Sequence, residues 1–229
     1  MKHETDTLTV EQKKPPEDGA AKGVRFDARK TFWVFLIGSA IGAAAEILWC
    51  FIRTGGFEYR SSLVLSPFLV IYGIGALVLY FVRIKKTVFH MFFFGALAGS
   101  AVEFAGSILQ ELVLGTVSWN YTRLPFNING RVNPLHTLFW GLLAVLWYTA
   151  LLPLIEKLIG KIPERVYKPL TTVLAVCFVI DGIVTIAALL RWNMRLEGIP
   201  PANHIAAALD AVFHDGYMGQ VFADMIRVR

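Results

Sequence analysis

With 229 residues, 55% of them apolar, and a mean hydropathy of +0.55, the chain is too hydrophobic for an ordinary soluble domain of its length. Composition therefore assigns it to the all-α polytopic membrane proteins. The formal charge of +5 is accounted for by where basic residues fall around the membrane spans, so nucleic-acid binding need not be invoked.

Residues 1–28 are charged, contain Pro15 and Pro16 and are poor in aromatics, which predicts a disordered cytoplasmic tail. No apolar core of a secretory signal precedes the first span. Apolar stretches near Thr31–Ile52, Leu63–Val82, Val88–Leu114, Pro134–Ile155 and Leu170–Leu190 are each long enough for about 30 Å of hydrocarbon. The predicted fold is a helical bundle of about five transmembrane helices over residues 29–195. Lys and Arg concentrate in the tail before the first span, between the second and third spans, and between the fourth and fifth. These segments hold Lys2, Lys13, Lys14, Lys22, Arg25, Arg29, Lys30, Arg83, Lys85, Lys86, Lys157, Lys161, Arg165 and Lys168, fourteen of the 22 basic residues. That bias predicts a cytoplasmic N-terminus and an extracytoplasmic C-terminus in a bacterial cytoplasmic membrane.

The first and third spans carry one pattern twice, Gly38-x3-Gly42-x3-Glu46 and, 57 residues later, Gly95-x3-Gly99-x3-Glu103. Positions i, i+4 and i+8 lie on nearly one helix face, so each pair of glycines makes a smooth strip leading to a carboxylate. Small residues at this spacing commonly serve helix packing alone, but an acid inside an apolar run is expensive and marks function. After each Glu the chain returns through Ser66-Pro67 to Tyr72-Gly73, and through Asn133-Pro134 to Trp140-Gly141. We expect residues 31–82 and 88–155 to be two parallel two-helix repeats, related by an axis along the membrane normal. The carboxylates lie 16 residues beyond Lys30 and 17 beyond Lys86, about 24 Å along a helix, which predicts matching depths near the outer interface.

The second outer loop, residues 118–133, holds Trp119, Tyr121, Arg123, Asn127, Asn129 and Arg131. Trp and Tyr anchor interfaces, but four asparagines and two arginines exceed what anchoring needs. They are candidates for an anionic or amide-bearing ligand. The alternative is that Arg123 and Arg131 neutralise Glu46 and Glu103 as a salt-bridge cluster. His136, at the outer end of the fourth span, is a candidate proton relay or simply a hydrogen-bonded surface group. In the fifth span Asp181 begins a stripe with Thr185, Ala188, Arg191, Trp192 and Arg195; it either pairs structurally or joins Glu46 and Glu103 in an acidic intramembrane core handling protons or a cation. Residues 196–229 are expected to form an extracytoplasmic interfacial segment. In it Asn203 caps a short helix with Ile205, Leu209, Val212 and Phe213 on its apolar face, and Tyr217, Met218, Val221, Phe222 and Met225 follow as a second stripe. Cys50 and Cys177 have no metal-binding or disulfide spacing, so neither a metal nor another cofactor is expected. No Gly-x4-Gly-Lys-[Ser/Thr] loop occurs, so nucleotide-driven work would need a separate ATPase chain.

Several of these motifs together resemble a bacterial membrane family, the CmpB-like ABC-transporter type IV proteins. They are Gly-x3-Gly-x3-Glu, Pro-Phe-x3-Tyr-Gly from Pro67 to Gly73, the loop Trp-x-Tyr-x3-Pro-Phe-Asn-Ile-Asn-Gly-Arg from Trp119 to Arg131, Phe139-Trp140-Gly141, and Asp181 with Arg191 and Arg195. The resemblance covers about residues 31–229, with departures at Ser66 and Asn120. It implies an integral membrane protein and supplies no catalytic residues. The expected function is a permease-like protein with a polar, acidic site open to the outside, acting as a homodimer or with an ATPase subunit. The alternatives are a membrane enzyme acting on a lipid-linked or small polar substrate at the outer leaflet, and a non-catalytic scaffold or regulatory subunit.

Overall fold

The computed structural model describes residues 26–57, 59–82 and 87–228. Most of the tail expected at residues 1–28, and the basic residues Arg83, Lys85 and Lys86 used for topology, lie outside the described residues. The first helix, α1 (Ala28–Thr54), starts at Asp27, whose carboxylate accepts from the Arg29 and Lys30 backbone N–H groups, and stops at Gly55 with φ 74°. Helix α3 (Val88–Leu114) stops the same way, at Gly115 with φ 65°. Glycine has no Cβ to resist this left-handed turn, so the chain leaves both long helices sharply.

Helix α2 spans only Val70–Val82, 13 residues, so the helix expected from Leu63 begins seven residues later. Residues 61–69 run as non-helical backbone instead. Pro67 disfavours helix at Ser66, and nearby side chains supply the bonds a helix would have supplied. Leu63 N–H donates to Ser61 Oγ at 2.9 Å, Val64 N–H to Thr185 Oγ1 at 2.9 Å, and Leu65 N–H to Asp181 Oδ1 at 3.0 Å. Ser62 N–H reaches the Phe68 carbonyl at 2.9 Å, Val70 N–H reaches Ser62 Oγ at 3.2 Å, and Tyr217 donates its hydroxyl to the Val64 carbonyl at 2.5 Å. Irregular backbone at membrane depth persists only where protein satisfies it in this way.

Helix α4 (Pro134–Leu146) continues through a wider π turn, Trp147–Leu151, into α5 (Leu152–Ile159). Pro153 has no N–H to give the Thr149 carbonyl, and the ladder before it loosens to i+5 bonds, as Leu152 N–H to Trp147 O. Helix α6 (Glu164–Leu196) is the longest, at 33 residues. Among the described residues, four helices are long and apolar enough to cross a membrane: α1, α3, the α4–α5 unit and α6, with mean hydropathies of 1.6 to 2.7. The chain is thus a mostly helical membrane protein whose surroundings are a lipid bilayer.

Helix α1 pairs with α2 and α3 with α4, α2 and α3 join the pairs, and α6 packs on α1. Glycines set how closely each pair approaches: a Cβ on Gly38 would lie against Ala76 and one on Gly42 inside the Tyr72 ring. On α3, a Cβ on Gly95 would meet Ala144 and one on Gly99 the Trp140 ring. At the opposite end from the carboxylates Lys30 pairs with Glu156 at 2.9 Å and Trp33 Nε1 donates to Thr171.

The C-terminal segment folds back over the other end. Asn203 caps α7 (His204–Val212) through Ala206 N–H, and α8 (Asp215–Val221) follows. Phe213, Met218, Val221 and Phe222 are buried with Val64, Ala188 and Leu189, while Ile205 and Val212 are exposed. A two-stranded ladder, β1 (Thr116–Val117) with β2 (Ile226–Arg227), ties the chain end to the base of the second loop.

Candidate functional site

Glu46 and Glu103 come from different helix pairs and meet in one aromatic cluster. Tyr72, on α2, donates its hydroxyl to Glu46 Oε1 at 2.5 Å. Tyr121, on the loop, donates to Glu103 Oε1 at 2.8 Å, and Trp140 Nε1 donates to Glu103 Oε2 at 3.1 Å. The Tyr72 and Trp140 rings lie 5.3 Å apart. Glu103 is 5% exposed and Glu46 half-buried. Burial, and then the Glu103 carboxylate, push the Tyr121 hydroxyl far above the ordinary phenol range, which keeps it a donor.

His136 stacks on Tyr121 with ring centres 4.2 Å apart, and its Nδ1 is 2.7 Å from Asn133 Nδ2. Asn133 Oδ1 is identified by the Leu135 and His136 backbone N–H groups it accepts as the cap of α4. Its amide nitrogen must therefore donate to His136 Nδ1, a role a doubly protonated ring cannot accept. The cluster thus holds two acids, neutral donors and a neutral imidazole. Among the described residues neither glutamate takes part in an ion pair.

Among the described residues, neither arginine expected at the mouth forms an ion pair with Glu46 or Glu103. Arg131 is bound by Glu111 and donates to Ser107 at 2.7 Å, rather than reaching Glu46 or Glu103. Arg123 is exposed. Arg191 forks onto Asp210 at 2.6 and 3.0 Å, and Arg195 joins it at 2.5 Å. The loop amides are spent on the loop itself: Asn127 donates to the Leu124 carbonyl at 2.8 Å and accepts from Gly130 N–H at 2.8 Å, and Trp119 Nε1 donates to the Arg131 carbonyl. Asn129 is exposed, with φ 51°. Asp181 makes its bonds to Leu65, Ser66 and Thr185. The structure therefore brings together Glu46, Glu103, Tyr121 and His136, and seats Asp181 and Arg191 with other partners. Tyr72 and Trp140 were absent from the sequence candidates; their signal was the aromatic residue preceding Gly73 and Gly141.

Hydrogen bonds from Arg191, and then from Arg195, hold the Asp210 carboxyl below its usual value of 3.8. A depressed acid stabilises the fold fully above its unfolded pKa and loses that contribution as pH falls through the folded value. Protection of the amides of residues 204–221, taken relative to the intrinsic exchange rate at each pH, should stay constant from pH 7 to about 5 and fall only below about pH 4. A loss of protection already near pH 6 would show that another group controls this cap.

Under the carboxylates, between the two helix pairs, lies a cavity of about 60 Å³ lined by Gly42, Gly99, Tyr72, Trp140, Trp147 and Leu151, among other residues. Trp147 is 4% exposed and its Nε1 has no hydrogen-bond partner among the described residues. Among the described residues there is also no group of three or more His, Cys, Asp or Glu suited to a metal ion.

A model of the family described as "Putative ABC-transporter type IV" matches residues 33–186. Among curated proteins and solved structures, none matches the chain.

Proposed function

Because the chain belongs to the ABC-transporter type IV (CmpB) family, we propose that it is the membrane-embedded, permease-like subunit of a transporter in a bacterial cytoplasmic membrane. Its acidic site opens to the extracytoplasmic side, with the N-terminus cytoplasmic and the C-terminus outside. The α1–α2 and α3–α4 pairs are parallel copies of one hairpin, and α2 with the segment before it is a fifth, broken span. One observation carries the functional part: two glutamates from different helix pairs converge on one aromatic cluster, each held by its own donors, with no basic partner among the described residues. Acids kept at membrane depth without a salt bridge are costly, and a bound ion or substrate is what offsets the cost. Few spans surround this site, so the working unit includes a second copy of the chain or an ATPase subunit. The enzyme alternative would need arginines to hold a phosphate, and Arg131 is already engaged by Glu111 and Ser107.

The test is gentle purification of the full chain from its native membrane, followed by mass spectrometry of everything retained. The expected result is a stoichiometric ATP-hydrolysing subunit whose turnover changes when Glu46→Gln and Glu103→Gln are introduced and the complex stays assembled. A chain that purifies without an ATPase, and whose glutamine variants leave uptake in proteoliposomes unaltered, would overturn the proposal.

A further inference from the structure

Resting on the transporter reading above, we propose that the ligand of this site is a small amphiphilic ammonium compound: a positive nitrogen, a short aliphatic body and a hydrogen-bond acceptor at the far end. Each part answers to one observation. Tyr72, Tyr121 and Trp140 give Glu46 and Glu103 neutral hydrogen bonds only, and His136 accepts from Asn133 and is neutral. No basic side chain among the described residues is ion-paired with these two acids, and a cation placed between them also meets the aromatic faces of Tyr72 and Trp140, which attract positive charge.

The body is set by the cavity. Tyr72 and Trp140 belong both to the carboxylate cluster and to the cavity wall, so the two spaces adjoin at these rings. The glycines at 42 and 99 keep the wall smooth, and the lining is overwhelmingly apolar. One water needs about 10–15 Å³ of such space, so about 60 Å³ admits a short aliphatic chain.

The acceptor is set by Trp147. Its indole N–H is buried, unpartnered among the described residues, and belongs to a side chain lining the cavity. A buried donor without an acceptor is expensive and uncommon. The π turn that begins at Trp147 changes the angular spacing of the side chains after it, a distortion frequent at functional sites. Trp147 stands seven residues along from Trp140, about 10 Å of helix. An extended chain of about five carbons with a polar atom at each end is somewhat shorter than this stretch of helix.

The experiment measures binding of 5-amino-1-pentanol, pentylamine and 1-pentanol to the purified full chain in nanodiscs by calorimetry. Aminopentanol should bind best, pentylamine several-fold more weakly, and neutral pentanol at least about tenfold more weakly than pentylamine, since a charge-assisted contact is lost. Trp147→Phe keeps an aromatic side chain but removes the N–H, and should erase the advantage of aminopentanol over pentylamine. Glu46→Gln with Glu103→Gln should abolish the preference for ammonium over alcohol. Should that double variant fail to fold, the wild-type ranking and Trp147→Phe still decide. Equal binding of pentanol and pentylamine, no binding of any probe, or an aminopentanol advantage that survives Trp147→Phe overturns the proposal. If ammonium binding fails while an ATPase still co-purifies, the ligand class falls and the transporter reading stands. If ammonium binding holds but no ATPase co-purifies and uptake in proteoliposomes is unaltered in the glutamine variants, the ligand class stands and the transporter reading falls.

Discussion

Asp181→Ala is expected to destabilise the protein by about 3 kcal/mol, the sum for two or three donors each worth roughly 1–3 kcal/mol when stranded away from water. Asp181 is 3% exposed. It accepts from Leu65 N–H at 3.0 Å, Ser66 Oγ at 2.5 Å and Thr185 Oγ1 at 3.2 Å, and Thr185 in turn accepts from Val64 N–H. Removing the carboxylate frees the non-helical stretch before α2 that Asp181 and Thr185 hold. Val64 then loses its seat among Ala188, Leu189 and Met218, where it is 1% exposed. The loss would be read as a lower midpoint in detergent unfolding and as proteolytic opening near residues 61–69. Asp181→Asn keeps an acceptor oxygen for Leu65 N–H and should lose about half as much. An alanine variant as stable as wild type would show that residues 61–69 are held by packing alone.

Gly99→Leu and Gly42→Leu form the second large effect, expected to cost roughly 1–3 kcal/mol each as overpacking in a close helix contact. The space a Cβ needs at 99 is filled by the Trp140 ring and at 42 by the Tyr72 ring. Each ring also holds a carboxylate, so pushing Trp140 aside breaks its N–H bond to Glu103 and pushing Tyr72 aside breaks its hydroxyl bond to Glu46. Stability and ligand binding should therefore fall together. Gly182 is the matched control, because it stands on α6 with nothing within 4 Å of a Cβ. Gly182→Ala should be neutral or stabilise by up to about 1 kcal/mol through helix propensity. If Gly99→Leu and Gly182→Ala behave alike, helix contact does not depend on the glycine strip.

The spacing of Gly38, Gly42 and Glu46, and of Gly95, Gly99 and Glu103, was legible because helix geometry turns i, i+4 and i+8 into one face without help from the rest of the chain. The long helices were legible for the same reason: twenty apolar residues leave few other places to go in a membrane protein. The start of α2 was not. An apolar run from Leu63 reads as helix until it is known that Thr185 and Asp181, about 120 residues away, satisfy its backbone. The roles of the arginines were hidden likewise, since Arg131 and Arg191 each had more than one acid within the sequence to choose from.

The sequence by itself therefore determined a helical membrane protein, two acid-tipped glycine strips and a polar loop between the helix pairs. All of these follow from local periodicity and from the cost of polar groups in hydrocarbon. Only the tertiary structure decided which donors meet which acids. It gave Tyr72 to Glu46, Tyr121 and Trp140 to Glu103, Arg131 to Glu111, and Asp181 to the unwound segment. Such pairings depend on helix rotation and on loop closure across many residues, which no short stretch of chain encodes.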